Sequence, residues 1–193
     1  KIGDCAFIGC SELSSISFPN SVIHIGRQAF HETPWYANQQ EGECVYIGNV
    51  LYAYKGNMPN DTSIVIKDGI VSICESAFRG CTGLTSIAIP DSVKSIGEYA
   101  FSGCIGLTSI EIPNSVTSIE AGTFYGCKGL VSIAIPNSVT SIGGNFFGDG
   151  AFEGCTGLTS IEIPNSLTSI DNSTFEGCTG LTSIVVENDN TIR

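Results

Sequence analysis

The feature that most restricts this chain is a spacing. Gly-Cys recurs with its cysteine at Cys10, Cys81, Cys104, Cys127, Cys155 and Cys178, at intervals of 71, 23, 23, 28 and 23 residues. The unit from Thr82 to Cys104 reads TGLTSIAIPDSVKSIGEYAFSGC, and the units after it are near copies. The interval of 28 is one unit with five residues added between Ile142 and Ala151. The interval of 71 is three units plus two residues, or fewer units with a larger insertion. Self-similarity at such a period is the mark of stacked supersecondary units.

Within each unit the apolar positions stay fixed while the rest vary. Leu84, Ile87, Ile89, Val93, Ile96, Ala100 and Phe101 recur as Leu107, Ile110, Ile112, Val116, Ile119, Thr123 and Phe124. Leu-x-x-Ile-x-Ile ends in the alternation of a strand with one buried face. Pro90, Pro113, Pro136 and Pro164 then stop the strand, because proline has no N–H for a ladder. Asn-Ser or Asp-Ser makes the turn. A second short extended run follows, and Ala-Phe-x-Gly-Cys suits a single helical or 3₁₀ turn. The apolar side chains of one unit are too few to offset the entropy of ordering it alone, so stacking has to supply the rest. The expected fold is a β-rich solenoid, with a parallel sheet on one face and short strands and turns on the other.

The unit SIGxxAFxGCTGLTSIxIPNSV resembles the BspA-type, or Treponema pallidum-class, leucine-rich repeats found in surface proteins of host-associated bacteria and some protists. The resemblance covers nearly the whole chain. It implies a right-handed leucine-rich-repeat solenoid at a cell surface or in secretion, with a role in adhesion or protein binding. The partner it implies is a protein, such as a host-surface or matrix protein. The family shares no catalytic residues. Three departures stand out: Lys67-Asp68-Gly69 replaces Pro-Asn-Ser, Cys74 stands where Gly97 does, and the unit at 184–190 lacks its proline. Lys1 opens in mid-repeat and the last unit is one that normally continues. The expectation is one leucine-rich-repeat domain over 1–193, cut from a longer protein, with a hairpin-containing insertion at 31–60.

Charge narrows the partners. Nineteen acidic residues against eight basic ones leave a formal charge of −11. Binding to phosphate backbones or anionic lipid draws on Lys/Arg clusters, so nucleic acid and membrane surfaces are disfavoured. No stretch approaches the ~20 apolar residues of a membrane-crossing helix.

The repeat breaks between Phe30 and Asp61. This stretch holds the only Trp, the only Met and four of the six Tyr. Gly48-Asn49 between two β-rich runs fits a two-residue hairpin turn with Gly first. Trp35, Tyr36, Tyr46, Tyr52 and Tyr54 have two readings. They form a small core against the adjacent coil, or they make an exposed aromatic platform for a partner, since such residues dominate binding hot spots. Phe146 and Phe147 belong to the second break.

Candidate chemistry is sparse. With only His24 and His31, on different elements, a His-based triad has little to work with. No nucleophile elbow or phosphate-binding glycine motif is present, no cofactor is implied, and an enzyme is not expected. Gly148-Asp149-Gly150 offers one acidic ligand, too few for calcium, and is read as a turn. Nine cysteines without any C-x₂-C pair suggest no zinc site. Six follow the coil period and are read as an inward ladder of free thiols. Translated at the ~4.8 Å strand spacing, their Cβ atoms stand too far apart for easy disulfides. Cys5, Cys44 and Cys74 lie off that ladder. Asn60-Asp-Thr62 and Asn172-Ser-Thr174 match the glycosylation pattern.

On the sheet the exposed rows are Ser and Thr, with Ser17, Val65, Ala88, Glu111, Ala134, Glu162 and Val185 in the variable row. No aromatic anchor lies among them. The function expected is an extracellular protein-interaction or adhesion module, with a passive spacer as the alternative.

Overall fold

The computed structural model describes residues 1–143 and 148–186. Phe146 and Phe147 lie outside the described residues. The chain is a solenoid of coils with the period read above. In a regular coil the Leu-x-x-Ile-x-Ile run forms one side, as in β5 (Leu84–Ala88) and β9 (Ser160–Ile163). The proline turn closes with Val93 N–H donating to Pro90 C=O at 3.0 Å, and Val116 and Val139 repeat that bond at the same length. A two-residue strand returns along the other side: β4 (Ser72–Ile73), β6 (Ser95–Ile96), β7 (Ser118–Ile119), β8 (Ser141–Ile142) and β10 (Ser169–Ile170).

Neighbouring coils pair in parallel and in register. Ser72 opposes Ser95, Ser118 opposes Ser141, and Ser141 opposes Ser169. On the longer-strand side β3 (Thr62–Val65) pairs with β5, and β9 with β11 (Ser183–Val186). Single bridges join Glu111 to Ala134 and Ala134 to Glu162.

The Ala-Phe segment is a series of tight turns, not a helix. Ser102 N–H donates to Tyr99 C=O at 3.0 Å and Cys104 N–H to Phe101 C=O at 3.1 Å, the i→i+3 pattern of a 3₁₀ turn. The residue before Ala-Phe sits in the left-handed region (φ 59 at Ser76, 55 at Tyr99), and so does Gly103 (φ 73). A positive φ at both ends stops a helix from propagating.

Stacking makes the core. Phe78, Phe101, Phe124 and Phe152 are fully buried. Their rings, continued by Phe175, lie 5.2–5.6 Å apart and within 11° of parallel. The main chain is stitched at the same place. Phe78 N–H donates to Ala100 C=O in the next coil at 2.7 Å, and Phe101 to Thr123 at 2.9 Å.

The ladder thiols are buried at Cys81, Cys104, Cys127, Cys155 and Cys178, and all nine cysteines are free. Four of these thiols donate backwards to a phenylalanine carbonyl of the preceding coil: Cys104 to Phe78, Cys127 to Phe101 and Cys178 to Phe152 at 3.1 Å, and Cys155 to Phe124 at 3.0 Å. That carbonyl already accepts its own coil's N–H, as Phe78 does from Cys81 at 3.0 Å, so the S–H fills its second lone pair. Cys10 departs from the expected ladder. It is exposed, where the later ladder cysteines are buried.

Candidate interaction surfaces

The segment 31–60 takes the place of one coil and is built differently. Phe7, Phe30, Tyr54 and Phe78 hold successive equivalent positions, because Phe7 N–H donates to Ala29 C=O and Tyr54 N–H to Ala77 C=O, both at 2.8 Å. The interval of 71 is therefore three coils with two residues added. At 33, one period after Cys10, stands Thr33, which is 2% exposed. Its hydroxyl donates to Phe30 C=O at 2.7 Å and accepts from Tyr36 N–H at 3.1 Å. It thus does the ladder thiol's work within its own coil and also caps α1 (Pro34–Ala37). Pro34 at the first position favours that helical turn, which stands where a strand would begin.

The expected hairpin follows: β1 (Cys44–Ile47) and β2 (Val50–Tyr54) pair antiparallel around Gly48, whose φ of 55 suits the first turn position. β2 occupies the slot of a short strand, with Val50 opposite Ser72 and Leu51 opposite Ile73. The inner strand β1 divides the core. Val45 and Ile47 pack with Ile25, Phe30 and Tyr52, while Cys44 and Tyr46 lie against the long core of the regular coils.

Four of the five aromatic candidates are thereby placed. Tyr52 is 5% and Tyr54 8% exposed. The Tyr52 hydroxyl accepts the Phe30 N–H at 3.0 Å, in the position where every regular coil uses a main-chain carbonyl. Burial pushes the Tyr52 phenol up to about 12. Tyr52 and Tyr54 are therefore core residues, with Tyr52 edge-on to Phe30 at 5.8 Å and Tyr54 packed among the buried residues of the regular coils. Trp35 is half-buried, edge-on to Phe30 with centroids 5.3 Å apart. Tyr46 is half-buried beneath the Lys67 ammonium, 4.4 Å from its ring centre.

Tyr36 borders an open groove. It is half-buried, edge-on to Tyr52 at 5.9 Å. Lys55 lies 5.8 Å above its ring and is anchored by Ala37 C=O at 2.7 Å, Gln39 C=O at 2.6 Å and the Glu41 carboxylate at 3.2 Å. With His31, Tyr52, Arg27 and Arg79 it lines a groove of about 280 Å³.

Cys74 is also explained here. A side chain at Gly97 would collide with the main chain of Cys74 and Glu75 in the coil before it. Before Cys74 the coil is shortened, running from Leu51 to Tyr54, so a side chain fits. Burial pushes the thiol up to about 12, against a smaller opposing pull from a hydrogen bond with the Ile25 main chain.

The sheet face is as plain as its sequence. Ser86 donates to Ser63 at 2.8 Å, and Thr85, Thr159 and Thr182 bond the main chain of the coil before. Asp149 accepts from the Tyr99 hydroxyl at 2.5 Å, and among the described residues no acidic, His or Cys cluster is arranged to hold a metal ion. No helix among them is long and apolar enough to cross a membrane.

The sequence reading passes over Arg27, Arg79, Tyr99 and Tyr125, which line a second and larger depression of about 470 Å³ on the turn face. The signal was there: the residues flanking Ala-Phe differ from unit to unit.

The BspA type leucine rich repeat region family matches six copies, over residues 1–60, 45–149 and 147–193. The chain belongs to this family. Among solved structures it is similar to a leucine rich cell surface protein from Faecalibacterium prausnitzii, at 29% identity and a TM-score of 0.71, over 98% of this chain and 58% of that one. It is similar to the T. pallidum Leucine Rich Repeat protein at 31% identity and a TM-score of 0.61, over 70% of this chain and 62% of that one. It shares its fold with the pneumococcal vaccine antigen PcpA, at 22% identity and a TM-score of 0.69, over 91% and 45% of the two chains. The chain spans less than two thirds of each of these proteins. No curated protein matches. Membership makes this BspA-type chain a repeat scaffold, an architecture that presents extended surfaces to protein partners.

Proposed function

We propose that residues 1–193 act as one leucine-rich-repeat domain, an extracellular or cell-surface protein-interaction module serving adhesion, with no catalytic activity of its own. The observation that carries this is the division of labour along the coil. The buried positions and the Ser/Thr rows repeat, and their polar atoms are spent on coil-to-coil bonds. The side chains available to a partner gather at the rebuilt coil and along the turns. The description of the Faecalibacterium relative as a cell surface protein supports the location. At the rebuilt coil the contact runs through Tyr36 and the exposed part of Trp35, with Tyr52 packed against both rings and Tyr46 and Tyr54 set against the long core beside them.

The test is binding of the purified chain to an immobilised panel of host-surface and matrix proteins, repeated with Tyr36→Ala. Saturable binding that weakens about tenfold in the variant, at an unchanged melting temperature, supports both the function and the contact. Normal binding by the variant removes the contact at Tyr36. A chain that binds nothing on the panel is a spacer, the alternative reading.

A further inference from the structure

In a repeat protein the positions that stacking dictates recur, and positions free of that demand diverge. On the sheet face Ser63, Ser86, Ser109, Ser132, Ser160 and Ser183 are identical. On the turn face the residue before Ala-Phe or Thr-Phe is Cys5, Gln28, Ser76, Tyr99, Gly122, Gly150 or Ser173, and all of these but Gly150 lie at φ 53–59. The residue after the phenylalanine is equally varied, including Arg79, Ser102 and Tyr125.

Tyr99 is the unusual choice, since the left-handed region penalises a bulky side chain and favours the glycine found at 122. The coils around it are adapted to its ring. A Cβ at Gly122 would fall on the Tyr99 ring, so glycine there makes room for it. The ring crosses that coil and its hydroxyl donates to Asp149 at 2.5 Å, in the coil lengthened by five residues. Arg79 covers the ring at 5.5 Å from its centre. Tyr125, 38% exposed, forms part of the opposite wall. Four successive coils, with Arg27 from an earlier one, thus combine to shape one depression of about 470 Å³.

Its charge is unbalanced. Arg27 pairs with Glu75 at 3.4 Å, and Arg79 is the other guanidinium inside. Three carboxylates, Glu75, Glu98 and Asp149, line the same space. Glu98 has no ion-pair partner among the described residues. Burial, and behind it the charges of Glu120, Asp4 and Asp149, push its carboxyl above the ordinary range. A tyrosine ring beside an unpaired carboxylate is the surrounding that a guanidinium favours, through cation–π attraction and charge-assisted hydrogen bonds.

We propose that the depression walled by Tyr99 and Tyr125 is a docking site for an arginine side chain presented by a partner protein, with Glu98 as its counter-ion. The site rests on the reading of the chain as a protein-interaction module, and it is separate from the Tyr36 contact. A partner arginine entering there ion-pairs with Glu98 and lies against the exposed Tyr125 ring.

The test titrates Nα-acetyl-arginine amide, and separately Nα-acetyl-glutamine amide, into the whole chain while the tyrosine ring signals are followed by NMR. The expected result is saturable shifts of Tyr99 and Tyr125 with the arginine probe alone. Glu98→Gln should weaken binding about fivefold or more, the scale of one charge contact. Tyr99→Ser, which installs the residue found at Ser76 and Ser173, should do the same and remain folded by circular dichroism. Glu111→Gln, on the sheet face, should bind as the unaltered chain does. Shifts that fail to saturate, an equal response to the glutamine probe, or equal losses in Glu98→Gln and Glu111→Gln would overturn the proposal. Because the probe is a single amino-acid derivative, its binding is independent of any result on the host-protein panel.

Discussion

The regular coils from β5 onward and the rebuilt coil at 31–60 solve one problem with different materials. Both must bury a ring at the Ala-Phe position, satisfy its N–H and hand the pattern to the next coil. The regular coils do so with translation: phenylalanine on phenylalanine, carbonyl opposite N–H, thiol on carbonyl. Phe30 stacks on Phe7, but the rebuilt coil meets it with Trp35 and Tyr52 edge-on and uses side chains where a regular coil uses main chain. The Tyr52 hydroxyl stands for a carbonyl and the Thr33 hydroxyl for a thiol. Side-chain substitutes need specific geometry, and that makes this coil the less replaceable of the two, position by position.

The largest expected effect tests the translated half. Phe101→Ala empties the middle of the stack and should cost about 3–5 kcal/mol in chemical denaturation, as large-to-small core changes do. A loss below about 1 kcal/mol would mean that the stack does not carry the core. Tyr52→Phe tests the other half with a single oxygen. It leaves the Phe30 N–H buried and unpaired, and should cost about 1–3 kcal/mol. In a regular coil Tyr99→Phe also removes one hydroxyl, but that one donates to the Asp149 carboxylate in a part-buried site, so the loss should be smaller. Equal losses would erase the distinction between the two regions.

Thiol accessibility sharpens the same contrast without a mutation. In the native chain Cys81, Cys104, Cys127 and Cys155 should resist alkylation and react only on denaturation, because burial raises the first three thiols, and the hydrogen bond with Cys178, then burial, raises Cys155. Cys5 and Cys10, both exposed, should react at once. Cys178 should lead the ladder, since its hydrogen bond with Cys155 lowers its pKa. Peptide mapping that finds bonds between consecutive ladder cysteines would contradict the free-thiol arrangement.

The smallest effect is electrostatic. Glu75 and Glu98 are both raised above their ordinary 4.5, chiefly by burial. A carboxyl raised on folding contributes stability at low pH that is lost as pH climbs through its folded value. Lowering the pH from 7 towards 4.5 should therefore raise the melting temperature through these two groups. Glu98→Gln should flatten that rise and stabilise the neutral protein slightly, within the ~0.5 kcal/mol typical of exposed sites. A variant that is less stable at pH 7 would show that the Glu98 charge is favourably paired.

Sequence alone determined the coil, its period, its inward residues and its family, because stacking imposes the same demand on every unit and repetition prints that demand many times over. Phe101, Cys104 and Leu107 could be placed in the core before any coordinates, each from its copies. The hairpin at Gly48 was legible too, from local turn chemistry. What occurs once was not. That Tyr52 serves the Phe30 N–H and that Thr33 replaces a thiol depend on which coil lies beside which, and no second copy of those arrangements exists to reveal them. The turn-face depression is of the same kind. Arg79, Tyr99, Tyr125 and Asp149 come from four coils, and only the tertiary structure, by laying successive turns side by side, could make them neighbours.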